Sequence, residues 1–241
     1  MTTLRSAIFL LGGLAITSVF GILVPAAGPV SRRLAFAFAS AYATCMLKWV
    51  EWTCGIGYEV QGWENLPDFP VVLMSKHQSA WETIFIESRF PPQCWIVKKE
   101  LRWLPFVGWG LMAIRCIAID RASGQSAREQ VVSQGKRRLQ EGMGIAIFPE
   151  GTRIAPGQRG RYGIGGALLA TRTGTPILPM AHNAGELWGR YAFRKRAGTV
   201  KVVLGPLIRT EGRDPISVNR EVEAWIEREM RRISPERYGS P

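Results

Sequence analysis

The first fifty residues of the chain contain no Asp or Glu, and between Ser6 and Ser31 they contain no charge of either sign. A soluble domain has little with which to cover such a segment, whereas a bilayer covers it without cost to any polar group. The stretch Ala7 to Val24 approaches the bilayer core thickness of about 30 Å at roughly 1.5 Å per helical residue. A second apolar run, Leu34 to Leu47, is too short to cross. Between them Pro25, Gly28 and Pro29 mark a turn, and Arg32 and Arg33 place positive charge beside it, at headgroup level or on the cytoplasmic side. Residues 1–56 are therefore expected to form a membrane-associated helical hairpin that spans once or dips into one leaflet. A cleaved signal peptide is the alternative, because Arg5, an apolar stretch and small residues near Pro25 to Gly28 satisfy its outline. Cleavage near Ala27 would, however, leave the second apolar run uncovered at a new N-terminus.

The remainder, residues 57–241, is long enough for one α/β domain with a full core. Lys and Arg number 31 against 19 Asp and Glu, a formal charge of +12, so the partner is expected to be anionic: phosphate groups, anionic lipid or nucleic acid. The four cysteines, Cys45, Cys54, Cys94 and Cys116, show no metal-ligand spacing and read as reduced thiols.

Short β-rich runs alternate with helical stretches beyond Trp52, which predicts a mixed α/β sheet flanked by helices. The candidate strands are Val71 to Ser75, Cys94 to Val97, Cys116 to Ile119, Gly144 to Phe148, Ile177 to Met180 and Val200 to Leu204. A helix is expected from Ser126, where Ser-Ala-Arg-Glu reads as a capping box, to near Gly142. Another begins at Asp214 and Pro215 and carries Val218, Val222, Trp225, Ile226, Met230 and Ile233 on one face.

Of the two histidines, His77 directly follows an apolar strand in the string Lys76-His-Gln-Ser-Ala-Trp-Glu82. Strand ends are where open α/β sheets bind ligands. In an ideal helix His77 and Glu82 would point about 140° apart, so a contact requires His77 in a non-helical turn and Glu82 in the first helical turn. In that geometry the carboxylate holds one imidazole nitrogen protonated and leaves the other as a base. A His near a Glu is more often structural, so the pair needs a second signal. Phe148-Pro-Glu-Gly-Thr-Arg153, at the end of another apolar strand, supplies it. A glycine turn explains Gly151 but not the adjacent hydroxyl and guanidinium, which with backbone N–H groups would form an anion cradle. From Gly151 to Gly198 there are eight Lys or Arg and one acid, Glu186, so cationic charge follows the cradle. Lys98-Lys-Glu-Leu to Gly108, and Ile117 to Arg121, each place a basic residue beside an apolar strand or a Pro-Gly helix start. There is no GxSxG, HExxH, Walker loop or complete GxGxxG, so a covalent serine enzyme, a zinc hydrolase and an ATPase lose ground, and neither metal nor cofactor is expected.

These motifs, in this order from Gln61 to Pro206, resemble the glycerolipid acyltransferase family, especially its bacterial 1-acyl-sn-glycerol-3-phosphate acyltransferases. The family's histidine and, after four residues, aspartate are matched by His77 and Glu82, one methylene longer. Its KxELxxxPxxG segment is matched to Lys99 through Gly108, its next arginine to Arg121, its FPEGTR without change, and its final proline to Pro179. The resemblance implies transfer of an acyl group from acyl-CoA or acyl-carrier protein to the free hydroxyl of lysophosphatidic acid, giving phosphatidic acid. His77 and Glu82 would be catalytic, and Arg121, Glu150, Gly151, Thr152, Arg153 and Lys99 would bind substrate. His182 is read as lining the pocket or packing. The implied setting is the inner (cytoplasmic) membrane, with the catalytic domain on the cytoplasmic side and membrane lipids as partners. Two other readings stay open: an acyltransferase for another acceptor, such as glycerol 3-phosphate or a lyso-aminolipid, and a non-catalytic protein that binds anionic membranes. No module for nucleic acid is visible.

Overall fold

The structure, a computed structural model, describes residues 2–90, 92–120 and 123–239. Helices α1 (Thr2–Ala27) and α2 (Arg32–Cys54) pack along each other as a hairpin. At Gly12 an added Cβ would lie 2.2 Å from the Trp49 ring, so the missing side chain lets the indole rest on the α1 backbone. The Trp49 Nε1–H donates there to the Phe9 carbonyl at 3.0 Å. The Ser31 hydroxyl caps α2, and Gly55, in the left-handed conformation, ends it. α2 outlasts its apolar run because its buried stripe, Ala35, Ala39, Ala43, Met46, Val50 and Cys54, continues at helical spacing against α1 and α3 (Trp81–Arg89).

The chain then runs β1 (Ile56–Gln61), β2 (Val72–Ser75), α3, β3 (Gln93–Lys98), α4 (Val107–Ala113), β4 (Ile117–Ile119), α5 (Gln125–Gln140), β5 (Gly144–Ile147), α6 (Gly165–Thr173), β6 (Ile177–His182), α7 (Ala184–Leu187), β7 (Gly198–Leu204), α8 (Pro215–Ile233) and α9 (Pro235–Tyr238). These strands make one seven-stranded mixed sheet in the order β1-β7-β6-β2-β5-β3-β4. Only the β6–β7 pair is antiparallel. Every strand expected from the sequence forms, with ends displaced by one or two residues, and β1 is an addition. It pairs only with β7, at the sheet edge, where Gly57 and Glu59 dilute its apolar signal. The expected capping box at Ser126 does not form: α5 starts at Gln125, Gly124 occupies the cap with positive φ, and no side chain caps the helix.

Each sheet face has its own apolar layer. Along β2, Leu73 joins the layer made by α1, α2 and α3, while Val72 and Met74 join the one made by α5, α6 and α8. The hairpin thus shares a continuous core with the sheet. The adjacent parallel strands β2 and β5 both end at the same edge, just before His77 and Phe148.

Candidate active site

His77 lies in the non-helical segment after β2, and Glu82 in the first turn of α3. Their side chains meet, with His77 Nδ1 2.8 Å from Glu82 Oε1. An ionised carboxylate only accepts, so Nδ1 carries the proton and Nε2 is the basic nitrogen. The ring lines the main cavity and stacks on Phe148, with centroids 3.8 Å apart and planes 9° from parallel. Glu82 is fully buried and also accepts the backbone N–H groups of Gln78 and Ser79 at 2.9 Å. Burial alone would raise its carboxyl. The adjacent His182, the hydrogen bond from His77 and the N–H of Ser79 outweigh that and hold it below its ordinary value.

His182 does not reach the cavity. It is fully buried, its Nε2–H donates to the Lys76 carbonyl at 2.8 Å, and its Nδ1 accepts the Ala184 N–H at 3.3 Å. Burial lowers its pKa against the opposing pull of Glu82. Its bond to the Lys76 carbonyl braces the peptide that leads into His77.

The FPEGTR segment grips the same peptide from the other side. Gly151, at φ 67°, closes a turn in which its N–H donates to the Phe148 carbonyl at 3.0 Å. That turn sends Glu150 inward and leaves Gly151, Thr152 and Arg153 on the cavity wall. Glu150, expected from the resemblance to bind substrate, instead has its carboxylate buried, paired with Lys76 Nζ at 2.6 Å and accepting the His77 backbone N–H at 2.9 Å. A carboxylate would in any case repel a phosphate. The N–H of Ile154 binds the His77 carbonyl at 2.8 Å, so both backbone groups of His77 are held by this segment. Lys76, with no exposed surface, also pairs with Glu227 of α8 at 2.8 Å, and Tyr162 donates to the same carboxylate at 2.9 Å. Burial raises the Glu150 carboxyl against the pull of Lys76.

The cavity holds about 680 Å³ and has two characters. Its lining includes His77, Lys98, Gly151, Thr152, Arg153 and Arg190, together with Phe20 and Val24 of α1, Ala39 and Tyr42 of α2, Ile84 of α3 and Leu111 of α4. Glu87 is an acid within that wall, and the Trp95 indole N–H donates to it at 2.6 Å. Burial pushes its carboxyl up to about 7, against the bond from Trp95.

Lys99 is not on the cavity. Its ammonium, half exposed, binds Asp120 at 2.5 Å, and its neighbour Lys98 lines the wall instead. The spacing agrees, since in a KxEL pattern ending at Leu101 the leading lysine is Lys98. The motif's glycine, Gly108, has a steric cause: a Cβ there would lie 2.4 Å from the Arg102 carbonyl oxygen. Arg121 lies outside the described residues. Arg190 was not singled out from the sequence beyond its place in the cationic run after Gly151; its guanidinium donates to the Arg153 carbonyl at 3.2 Å.

The Acyltransferase family profile matches residues 57–183. The 1-acyl-sn-glycerol-3-phosphate acyltransferase of Pseudomonas aeruginosa is 40% identical over 235 residues, covering 91% of this chain and 91% of its own. The human 1-acyl-sn-glycerol-3-phosphate acyltransferase alpha is 28% identical over 176 residues, covering 72% of this chain and 62% of its own. The crystal structure of the 1-acyl-sn-glycerophosphate acyltransferase of Thermotoga maritima superimposes with a TM-score of 0.80 at 20% identity, over 96% of this chain and 95% of that one, and so shares its fold. The chain belongs to the acyltransferase family.

Proposed function

We propose that the chain transfers a fatty acyl group from acyl-CoA or acyl-carrier protein to the sn-2 hydroxyl of lysophosphatidic acid, giving phosphatidic acid. The observation that carries this is the His77–Glu82 pair, 2.8 Å apart, on a cavity lined by both cationic and apolar side chains. His77 Nε2 takes the proton of the acceptor hydroxyl as its oxygen attacks the thioester carbonyl. The tetrahedral adduct collapses, the C–S bond breaks, and the thiolate leaves with the proton that the imidazolium returns. Glu82 stabilises the imidazolium and fixes its tautomer. No covalent acyl-enzyme is needed, in keeping with the lack of a nucleophile elbow in the sequence.

Arg153, Arg190 and Lys98 are assigned to the acceptor phosphate, together with the N–H groups and hydroxyl of Gly151 and Thr152. The apolar part of the cavity, walled partly by α1 and α2, suits a fatty chain. α1 is long and apolar enough to cross a membrane. Its Leu4, Leu11 and Leu14 are 66%, 70% and 57% exposed, which supports lipid contact. With Arg32 and Arg33 after the turn, we assign the enzyme to the inner membrane with its domain on the cytoplasmic side. The test is an assay of membranes containing the protein, with labelled acyl-CoA or acyl-carrier protein and lysophosphatidic acid. Labelled phosphatidic acid is the expected product. Transfer only to glycerol 3-phosphate or a lyso-aminolipid would reassign the acceptor, and no transfer to any of them would leave a membrane-binding protein.

A further inference from the structure

Between β3 and β4 lies apolar surface that no described residue covers. Trp103, Leu104, Trp109 and Met112 are each between 48% and 77% exposed. One exposed apolar side chain is ordinary, but this density within ten residues is not. α4 is two-faced: Val107, Gly110 and Leu111 line the active-site cavity, while Trp109 and Met112, off that stripe, face outward.

The inner neighbours of α4 are settled, which leaves only the outer face in question. α4 rests on α1, where an added Cβ at Gly21 would lie 2.6 Å from Phe106 and one at Gly28 would lie 3.2 Å from Ala113. On the same stretch of α1, Val19 and Ile22 are 55% and 59% exposed, so the patch continues the helix read above as lipid-facing. Its rim is cationic. Lys98, Lys99 and Arg102 precede it, and the Arg102 guanidinium sits 5.3 Å from the Trp103 ring centroid. Indoles beside cations suit the boundary between anionic headgroups and acyl chains.

We propose that the segment from Lys99 to Ala113 is a second membrane-docking element, lying in the interface of the leaflet that holds the hairpin, with Trp103 and Trp109 at headgroup depth. α4 is then the wall between the active-site cavity and the lipid. This rests on the membrane reading of α1, and the occupant is a lipid surface rather than a second protein.

The test uses the full chain with Cys45, the exposed cysteine, changed to Ser, reconstituted in phosphatidylethanolamine and phosphatidylglycerol vesicles. An environment-sensitive fluorophore is placed by Trp109→Cys and, in a separate protein, by Met112→Cys. Leu14→Cys on α1 and Ser133→Cys on exposed α5 are the references for lipid and water. The expected result is a blue shift at 109 and 112 relative to 133, with quenching by doxyl-labelled lipids that is strongest for shallow labels. Emission at 109 and 112 matching 133, while 14 is quenched, would overturn the proposal and leave the hairpin reading standing. A blue shift without lipid quenching would also overturn it, in favour of a protein partner. A water-like signal at 14 would remove the hairpin reading and this proposal together.

Discussion

Glu150 Oε2 accepts the backbone N–H of His77 at 2.9 Å, so the FPEGTR segment holds the main chain of the residue assigned as base. Its other oxygen takes the Lys76 ammonium, which also reaches Glu227 on α8. Deleting one partner of a buried ion pair costs about 3–5 kcal/mol, because the remaining charge is stranded. Lys76→Met, which strands two carboxylates, is expected to lower the Tm in detergent more than Glu150→Gln does. Glu150→Gln is expected to lower kcat, since the amide holds His77 less firmly. Wild-type Tm for Lys76→Met would show that the network carries no stability.

Arg153 and Arg190 line the cavity, and Arg153 is the side chain assigned above to the acceptor phosphate. Arg153→Lys keeps the charge and loses the bidentate geometry. The expected outcome is a raised KM for lysophosphatidic acid with little change for the acyl donor. A KM that rises for the donor alone would move Arg153 out of the acceptor site.

Glu87 predicts a pH dependence of stability. Burial in the cavity wall raises its folded pKa from 4.5 to about 7, so the folded state binds the proton more tightly than the unfolded chain does. The stabilisation is fully present below the unfolded pKa and is lost as pH rises through the folded one. Relative to wild type, Glu87→Gln is therefore expected to gain Tm progressively as pH rises from about 5 to 8. Parallel Tm profiles for the two proteins would contradict this.

At position 82 the expected order of activity is Glu, then Asp, then Gln. Asp keeps the charge at shorter reach, and Gln loses it. The carboxylate also ties down the N–H groups of Gln78 and Ser79, so Asp is expected to lower Tm as well. Equal kcat for Gln and Glu would leave the carboxylate without a catalytic part.

Much of this site was legible because it is local in sequence. The offset of five between His77 and Glu82 required a helix to begin between them, and α3 begins at Trp81. Ser79 and Glu82 also carry the Ser-x-x-Glu pattern, and the N–H of Ser79 binds Glu82, whereas the same pattern at Ser126 caps no helix. What escaped depends on distant packing. Nothing near Glu150 in sequence indicates that its partner is Lys76, 74 residues away, or that Glu227 joins them. Arg190 reaches the cavity only because the chain returns there after β6 and α7. β1 was missed because a half-exposed edge strand needs few apolar residues.

The most direct test of the account is the turnover of His77→Ala, purified, shown by circular dichroism to be folded, and reconstituted with lysophosphatidic acid and labelled acyl thioester. Removing a general base costs about 10²- to 10⁴-fold, and more where it also orients the nucleophile. The account predicts a loss of kcat of at least that size with the KM for lysophosphatidic acid little changed, because the cationic wall remains. Near-wild-type kcat in the folded His77→Ala protein would contradict it.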